Sequence, residues 1–309
     1  MFPLPYFDAH CDTLSRCLAS GESLLDASGQ CSLRRLSAYA SFGQIFAIFR
    51  DGADAPPEGL LGNARRQAAL FQREKSCWPQ WMERALLSVE GGELLECDPE
   101  LLHEAAAWGV VSVNLTWNHA NPLSGSHCDH PGQGLTDRGR AFARCARELG
   151  ILPDTSHLSD PGFFDLAELG DGPLFASHSN SRAVCPHTRN LTDDQFRLIR
   201  DSGGVVGINL YTAFVGGDGS MEALLRHFDH FLDLGGERCL ALGSDWDGGI
   251  TGAGGIQGAQ DMGLLAKAML VRGYGMPLVL DIFYNNLARL LGFPAAEQKG
   301  AAPSSEKPS

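Results

Sequence analysis

Short apolar or β-branched runs recur along the chain, each giving way to Gly, Asp, His or Asn and then to a longer stretch with apolar residues three and four apart. A run of the first kind reads as a buried strand and the stretch after it as an amphipathic helix, so the rhythm is that of repeated βα units. Eight runs stand out: Phe7–Asp12, Gln44–Phe49, Ala85–Glu90, Val110–Trp117, Ile151–Ser156, Leu174–His178, Val205–Tyr211 and Cys239–Asp245. Between them the spacing predicts helices over Leu60–Arg73, Pro99–Ala107, Thr136–Leu149, Asp193–Ser202 and Ser220–Leu234. Thr136 and Thr192 stand where a side-chain oxygen can cap a first helical turn.

Eight such units in 309 residues fit a single α/β domain over residues 1–293, a closed (β/α)8 TIM barrel, with an open doubly wound sheet as the competing arrangement. Residues 294–309, rich in Ala, Pro, Ser and Lys, read as a flexible tail. No sequence repeat of about 20–50 residues accompanies the rhythm, which excludes a solenoid.

Charge and cysteine usage narrow the function. With 37 acidic against 24 basic residues and no basic run, the chain lacks a phosphate-binding surface, so no nucleic-acid partner is expected. Nine cysteines are scattered without a C-x-x-C pair, several of them in apolar runs, which suggests reduced, buried thiols. Met1–Pro5 has neither the basic nor the apolar part of a signal peptide, and no segment reaches the ~18 apolar residues of a membrane span. The expectation is a cytoplasmic protein with no membrane anchor.

In a barrel of this kind the strand ends converge at one rim, so the residues closing each run are the candidate chemistry. His10 and Asp12 lie two apart, and a strand's period of two sends both toward the mouth. Glu90 ends an apolar run and opens into Gly91-Gly92, while His157 and His178 follow two further runs. Singly, each is more ordinarily a loop acid or a packed histidine. Together, three imidazoles and two carboxylates at four of eight strand ends suit zinc or a similar divalent cation. Five ligands are too many for one open tetrahedral site but suit two metals about 3.5–4 Å apart sharing a carboxylate. Asp245 ends the eighth run where a general base should stand, whereas Asp247, before Gly248, fits a turn.

These residues lie within Asp8-Ala9-His10-Cys11-Asp12-Thr13, Ser88-Val89-Glu90-Gly91, Asn114-Leu115-Thr116-Trp117-Asn118, Asp154-Thr155-Ser156-His157-Leu158-Ser159, Ser177-His178-Ser179 with Arg189-Asn190, Ile208-Asn209-Leu210-Tyr211 and Gly243-Ser244-Asp245-Trp246-Asp247-Gly248. In that order, from Phe7 to about Gly292, the sequence resembles the renal (membrane) dipeptidase family of zinc metallopeptidases. The resemblance implies that His10 and Asp12 bind one zinc, His157 and His178 the other, and that Glu90 bridges them. It implies further that Asp245 is the acid/base residue and that Arg189 and Tyr211 hold the substrate's C-terminal carboxylate. The implied reaction is hydrolysis of free dipeptides, with tolerance of a D-residue at the C-terminal position, by a hydroxide formed between the cations, which lower the pKa of water toward ~7.

One departure from the family pattern concerns the fourth strand. Trp117 stands where the family carries a histidine, so Trp117 and Asn118 join the candidate substrate contacts, and His119 is a second place for the displaced polar role. Two alternatives remain at this stage: another amidohydrolase-type hydrolase acting on lactones, amides or phosphotriesters, and a non-catalytic metal-binding homologue. The chain is expected to act on its small substrate alone or as a homodimer. Gly252–Gly258 reads as a mobile rim loop, not a dinucleotide loop, and His227 and His230 as packing or outer-face residues of a helix.

Overall fold

The computed structural model of the chain describes residues 4–170 and 172–296, so most of the expected tail, 297–309, lies outside the described residues. Eight parallel strands close into a barrel in sequence order, each hydrogen-bonded to its neighbours in the chain and the eighth to the first. They are β1 (Tyr6–Cys11), β2 (Phe42–Ile48), β3 (Ala85–Glu90), β4 (Val110–Asn114), β5 (Leu152–Asp154), β6 (Phe175–Ala176), β7 (Val205–Ile208) and β8 (Leu240–Leu242). The closed barrel, not the open sheet, is therefore the architecture.

The helices sit close to their predicted bounds, at Gly59–Cys77, Leu101–Trp108, Asp137–Glu148, Asp193–Asp201 and Met221–Asp233. Thr136 Oγ1 accepts from Gly139 N, and Thr192 with Gln195 closes a reciprocal capping box. Helices over Thr13–Ser20, Asp160–Glu168 and Met262–Arg272 complete the outer layer.

Two apolar layers fix the barrel. One lies between strands and helices. The other fills the lower interior, where Phe7, Ala9, Ile45, Phe175, Val205 and Ala241 meet Tyr284, Leu287 and Ala288 of the C-terminal helical segment. That floor leaves only the C-terminal mouth for polar side chains.

The strands end earlier than the apolar runs. Regular strand stops at Asn114, Asp154, Ala176, Ile208 and Leu242, and beyond it several backbone N–H groups turn to side chains: Ser156 N and Ser177 N to Asp154, Asn209 N to Asn180 and Ser244 N to Asp8. The stretch at Gly252–Gly258 differs from the mobile loop expected: Gly252 bridges Tyr211, Ala253 N bonds Leu210 O at 2.8 Å and Gly254 N bonds Gly219 O at 2.8 Å. The glycines serve close backbone approach, since a Cβ on Gly252 would stand 2.2 Å from Ile256 O. His227 is fully buried, accepting from Ser181 N and bonding Val215 O.

Candidate metal centre

His10 reaches the mouth through a defect in β1. Phe7 and Ala9 face the inner cluster, so strict alternation would turn His10 outward. The register slips between Asp8 and Cys11, however, and this bulge resets the phase. The Asp8 carboxylate holds the slip: it accepts from His10 N at 3.0 Å, from Ser244 N across the closure of the barrel, and from the hydroxyls of Tyr6 and Ser244. Asp154 plays the same part below β5 and β6, accepting from Ser156 N at 2.9 Å and Ser177 N at 3.1 Å. His157 and Asp245 follow with φ of +72° and +66°, a left-handed backbone that costs a non-glycine residue about 1–3 kcal/mol. Neighbouring bonds hold both turns: His127 N to His157 O at 2.8 Å and Asp245 N to His10 O at 3.2 Å.

These turns bring together all six residues singled out at strand ends. Nε2 of His157, Nε2 of His178 and Oε1 of Glu90 form a triangle with sides of 3.1, 3.4 and 3.0 Å. The other oxygen of Glu90, Oε2, lies 3.5 Å from His10 Nε2, which is 3.6 Å from Asp12 Oδ2 and 3.9 Å from Asp245 Oδ1. A tetrahedral ion with bonds of about 2.0–2.1 Å has ligand–ligand edges of about 3.3–3.4 Å, so both groups have the dimensions of a cation's ligand shell. Glu90 gives one oxygen to each.

The chemistry of the donors also fits a cation. Asn118 Oδ1 lies 2.9 Å from His157 Nδ1 and can only accept, which leaves the lone pair of His157 Nε2 facing His178 Nε2. His178 Nδ1 is in turn engaged by Ser177 Oγ at 2.6 Å. Both nitrogens of His10 and Oδ1 of Asp12 are buried with no hydrogen-bond partner among the described residues. Burial, with Arg189 nearby, holds His157 and His178 well below the usual histidine range. Burial acts the same way on His10, but Glu90 and Asp12 outweigh it and raise His10 well above that range. Burial pushes Asp245 up to about 7; His10 opposes the rise, and Asp12 and Glu90 add to it. Buried carboxylates around bare imidazole nitrogens form a cluster whose charge a divalent cation would neutralise.

Arg189 is 3 % exposed, its Nη1 donating to Ser179 Oγ at 3.0 Å while Nε and Nη2 have no partner among the described residues. Those two N–H groups make one edge of the guanidinium fork, the edge that binds a carboxylate with two bonds. Phe214 lies under the guanidinium at 5.8 Å, with Tyr211 edge-on to Phe214 at 4.9 Å. Trp117, half-buried, packs 5.0 Å from Phe49 and 6.3 Å from His157, an apolar surface beside that histidine. Asn118 has its oxygen engaged by two imidazoles, and His119 stands exposed, 3.9 Å from Asp51. Asp247 is a turn acid, bonded by Thr13 Oγ1 and Gln30 N at 2.7 Å each.

Sequence reading missed Asn209, which donates to Asp245 Oδ2 at 3.0 Å, and His127, the second imidazole on Asn118. Asn209 was within reach, being the first residue past a strand end, as Asp12 is. His127 sits in a 22-residue connection whose local pattern carries no signal.

A family model for membrane dipeptidases (peptidase family M19) matches residues 80–304. An uncharacterized protein in the pqqA 5' region of Klebsiella pneumoniae is 37% identical over 216 residues, 66% of this chain and 79% of that protein. Mouse dipeptidase 3 is 27% identical over 66% of this chain and 43% of its own length. Among solved structures, the family M19 metallopeptidase dipeptidase AC superposes with a TM-score of 0.82 at 32% identity, over 94% of this chain and 98% of that one. A metallopeptidase of Rhodobacter sphaeroides, bound to a phosphinate mimic of the dipeptide L-Ala-D-Ala, does so with 0.83 at 29% identity, over 94% and 99%.

Proposed function

The chain belongs to the membrane dipeptidase family, peptidase family M19, and from that premise we propose that it hydrolyses the peptide bond of free dipeptides with two zinc ions at the mouth of its barrel. The observation that carries this reading is the division of Glu90 between two ligand groups, with His157 and His178 on Oε1 and His10 and Asp12 on the side of Oε2. Three imidazoles and two carboxylates are a donor set suited to zinc. Bound there, the cations supply Lewis-acid polarisation of the scissile carbonyl and a water acidic enough to attack it at neutral pH.

The chain's own side chains do the rest. Asp245, fixed by Asn209, stands to take the proton of the attacking water and pass it to the leaving amine. Arg189 offers its free edge to the substrate's carboxylate, which selects dipeptides over longer chains because a third residue would put a neutral amide there. Trp117 with Phe49, and Tyr211 with Phe214, offer aromatic surface for the substrate's side chains. The L-Ala-D-Ala mimic in the Rhodobacter neighbour supports tolerance of a D-residue at the C-terminal position. Nine free cysteines favour a reducing, cytoplasmic setting, and among the described residues no helix is long and apolar enough to cross a membrane.

The test is a panel of L,L- and L,D-dipeptides beside lactones and phosphotriesters, run on zinc-loaded and chelator-treated protein. Dipeptide turnover that chelation abolishes and zinc restores is expected. Zinc uptake without turnover of any dipeptide would overturn the activity, and failure to take up zinc would overturn the centre.

A further inference from the structure

The loop between β4 and the helix at Asp137 carries a histidine that gives no donor to either ligand group yet holds His157 twice, once by its backbone and once through Asn118. His127 N donates to His157 O at 2.8 Å, and His127 Nε2 lies 3.0 Å from Asn118 Oδ1, the oxygen that also faces His157 Nδ1 at 2.9 Å. The other ring nitrogen, Nδ1, is 3.0 Å from Thr188 Oγ1, one residue before Arg189. The backbone of Asn118 is fixed, its main-chain carbonyl accepting from Ser126 Oγ at 2.6 Å and Cys128 Sγ at 3.1 Å.

An amide oxygen has no proton to give, so both imidazoles facing it must donate. His127 is then protonated on Nε2, and its bare Nδ1 accepts the Thr188 hydroxyl. His157 is protonated on Nδ1, and its Nε2 lone pair faces Glu90 Oε1 and His178 Nε2. Without the ring of His127, the Asn118 amide is free to turn and present Nδ2–H instead. That would demand the other tautomer of His157, with a proton aimed at Glu90 and closed to a cation. With His127 donating from Nε2, the turned amide would meet N–H against N–H, so the turn is opposed.

We propose that His127 is a positioning residue, which through Asn118 locks His157 in the metal-accepting tautomer and links the metal centre to the Thr188–Arg189 loop. The inference rests on the reading of His157 as a zinc ligand. Groups that orient a metal-bound histidine in this way are worth about 10–100-fold in metal affinity.

Two measurements test it. In the zinc-loaded wild-type protein, 15N-imidazole NMR should find His127 protonated on Nε2 and His157 on Nδ1; His127 carrying its only proton on Nδ1 overturns the proposal. By chelator competition, His127→Leu should hold one of two zinc ions about 10–100-fold more weakly and the other as before. His127→Gln, whose amide N–H can stand in for Nε2–H, should recover most of the loss and so separates the effect from misfolding. Equal affinity for both ions in wild type and His127→Leu overturns this inference and leaves the dipeptidase reading intact. A wild-type protein that takes up no zinc overturns both.

Discussion

Replacing Arg189 with methionine removes a buried cation whose Nε and Nη2 edge meets no acceptor among the described residues. If that edge reads the substrate's carboxylate, two charge-assisted bonds are lost, each worth about 1.5–3 kcal/mol. Desolvating the carboxylate offsets part of this, so the lower bound of about 3 kcal/mol is the better guide. At about 1.4 kcal/mol per factor of ten, kcat/KM should fall about 150-fold. Most of the loss belongs in KM, because the carboxylate is remote from the scissile bond and is held alike in ground and transition states. Zinc content should not fall, since the Arg189 charge beside Glu90 and Asp245 would no longer oppose a second cation there. The assay pairs each free dipeptide with its C-terminal amide. Wild-type enzyme should lose with the amide about what Arg189→Met loses with the free acid, and the variant should lose little more when given the amide. The reasoning would be refuted if Arg189→Met slowed free acid and amide equally, or if its KM for the free dipeptide matched the wild type's.

Two other perturbations probe the reacting end. Asp245→Asn keeps an acceptor for Asn209 but cannot carry a proton, so kcat should drop about 10²–10⁴-fold with two zinc ions retained; steady-state kinetics with metal analysis checks both. Gly248→Ala would put a Cβ 2.5 Å from Asp245 Oδ1 and 2.8 Å from Asp12 Oδ2, so both carboxylates must shift. A displacement near 1 Å at reacting groups costs on the order of 100-fold in rate; kcat should fall by about that factor while the far-UV circular dichroism spectrum stays unchanged.

Local pattern carried much of this molecule. Ala85–Glu90 is a strand to the residue because its apolar run meets Gly91-Gly92, and Thr136 and Thr192 mark their helix starts because a cap is made within three residues. Strand-end chemistry was legible for the same reason: a barrel of known polarity turns position along each run into position at the mouth, so His10, Asp12, Glu90, His157, His178 and Asp245 could be gathered without knowing a single distance.

What the pattern left open are interactions between residues far apart in the chain. The bulge that turns His10 inward is held by Asp8 against Ser244, 236 residues away, and strict alternation would have pointed His10 outward. Glu90 can divide its oxygens only once β1, β5 and β6 have closed around it. His127 meets Asn118 and Thr188 across a loop with no periodicity. The sequence alone determined the elements and the residues that reach the mouth, because hydrophobic period and capping act over a few residues. Only the closed barrel decided which donors face each other and which tautomer each imidazole holds, because those depend on contacts that closure creates.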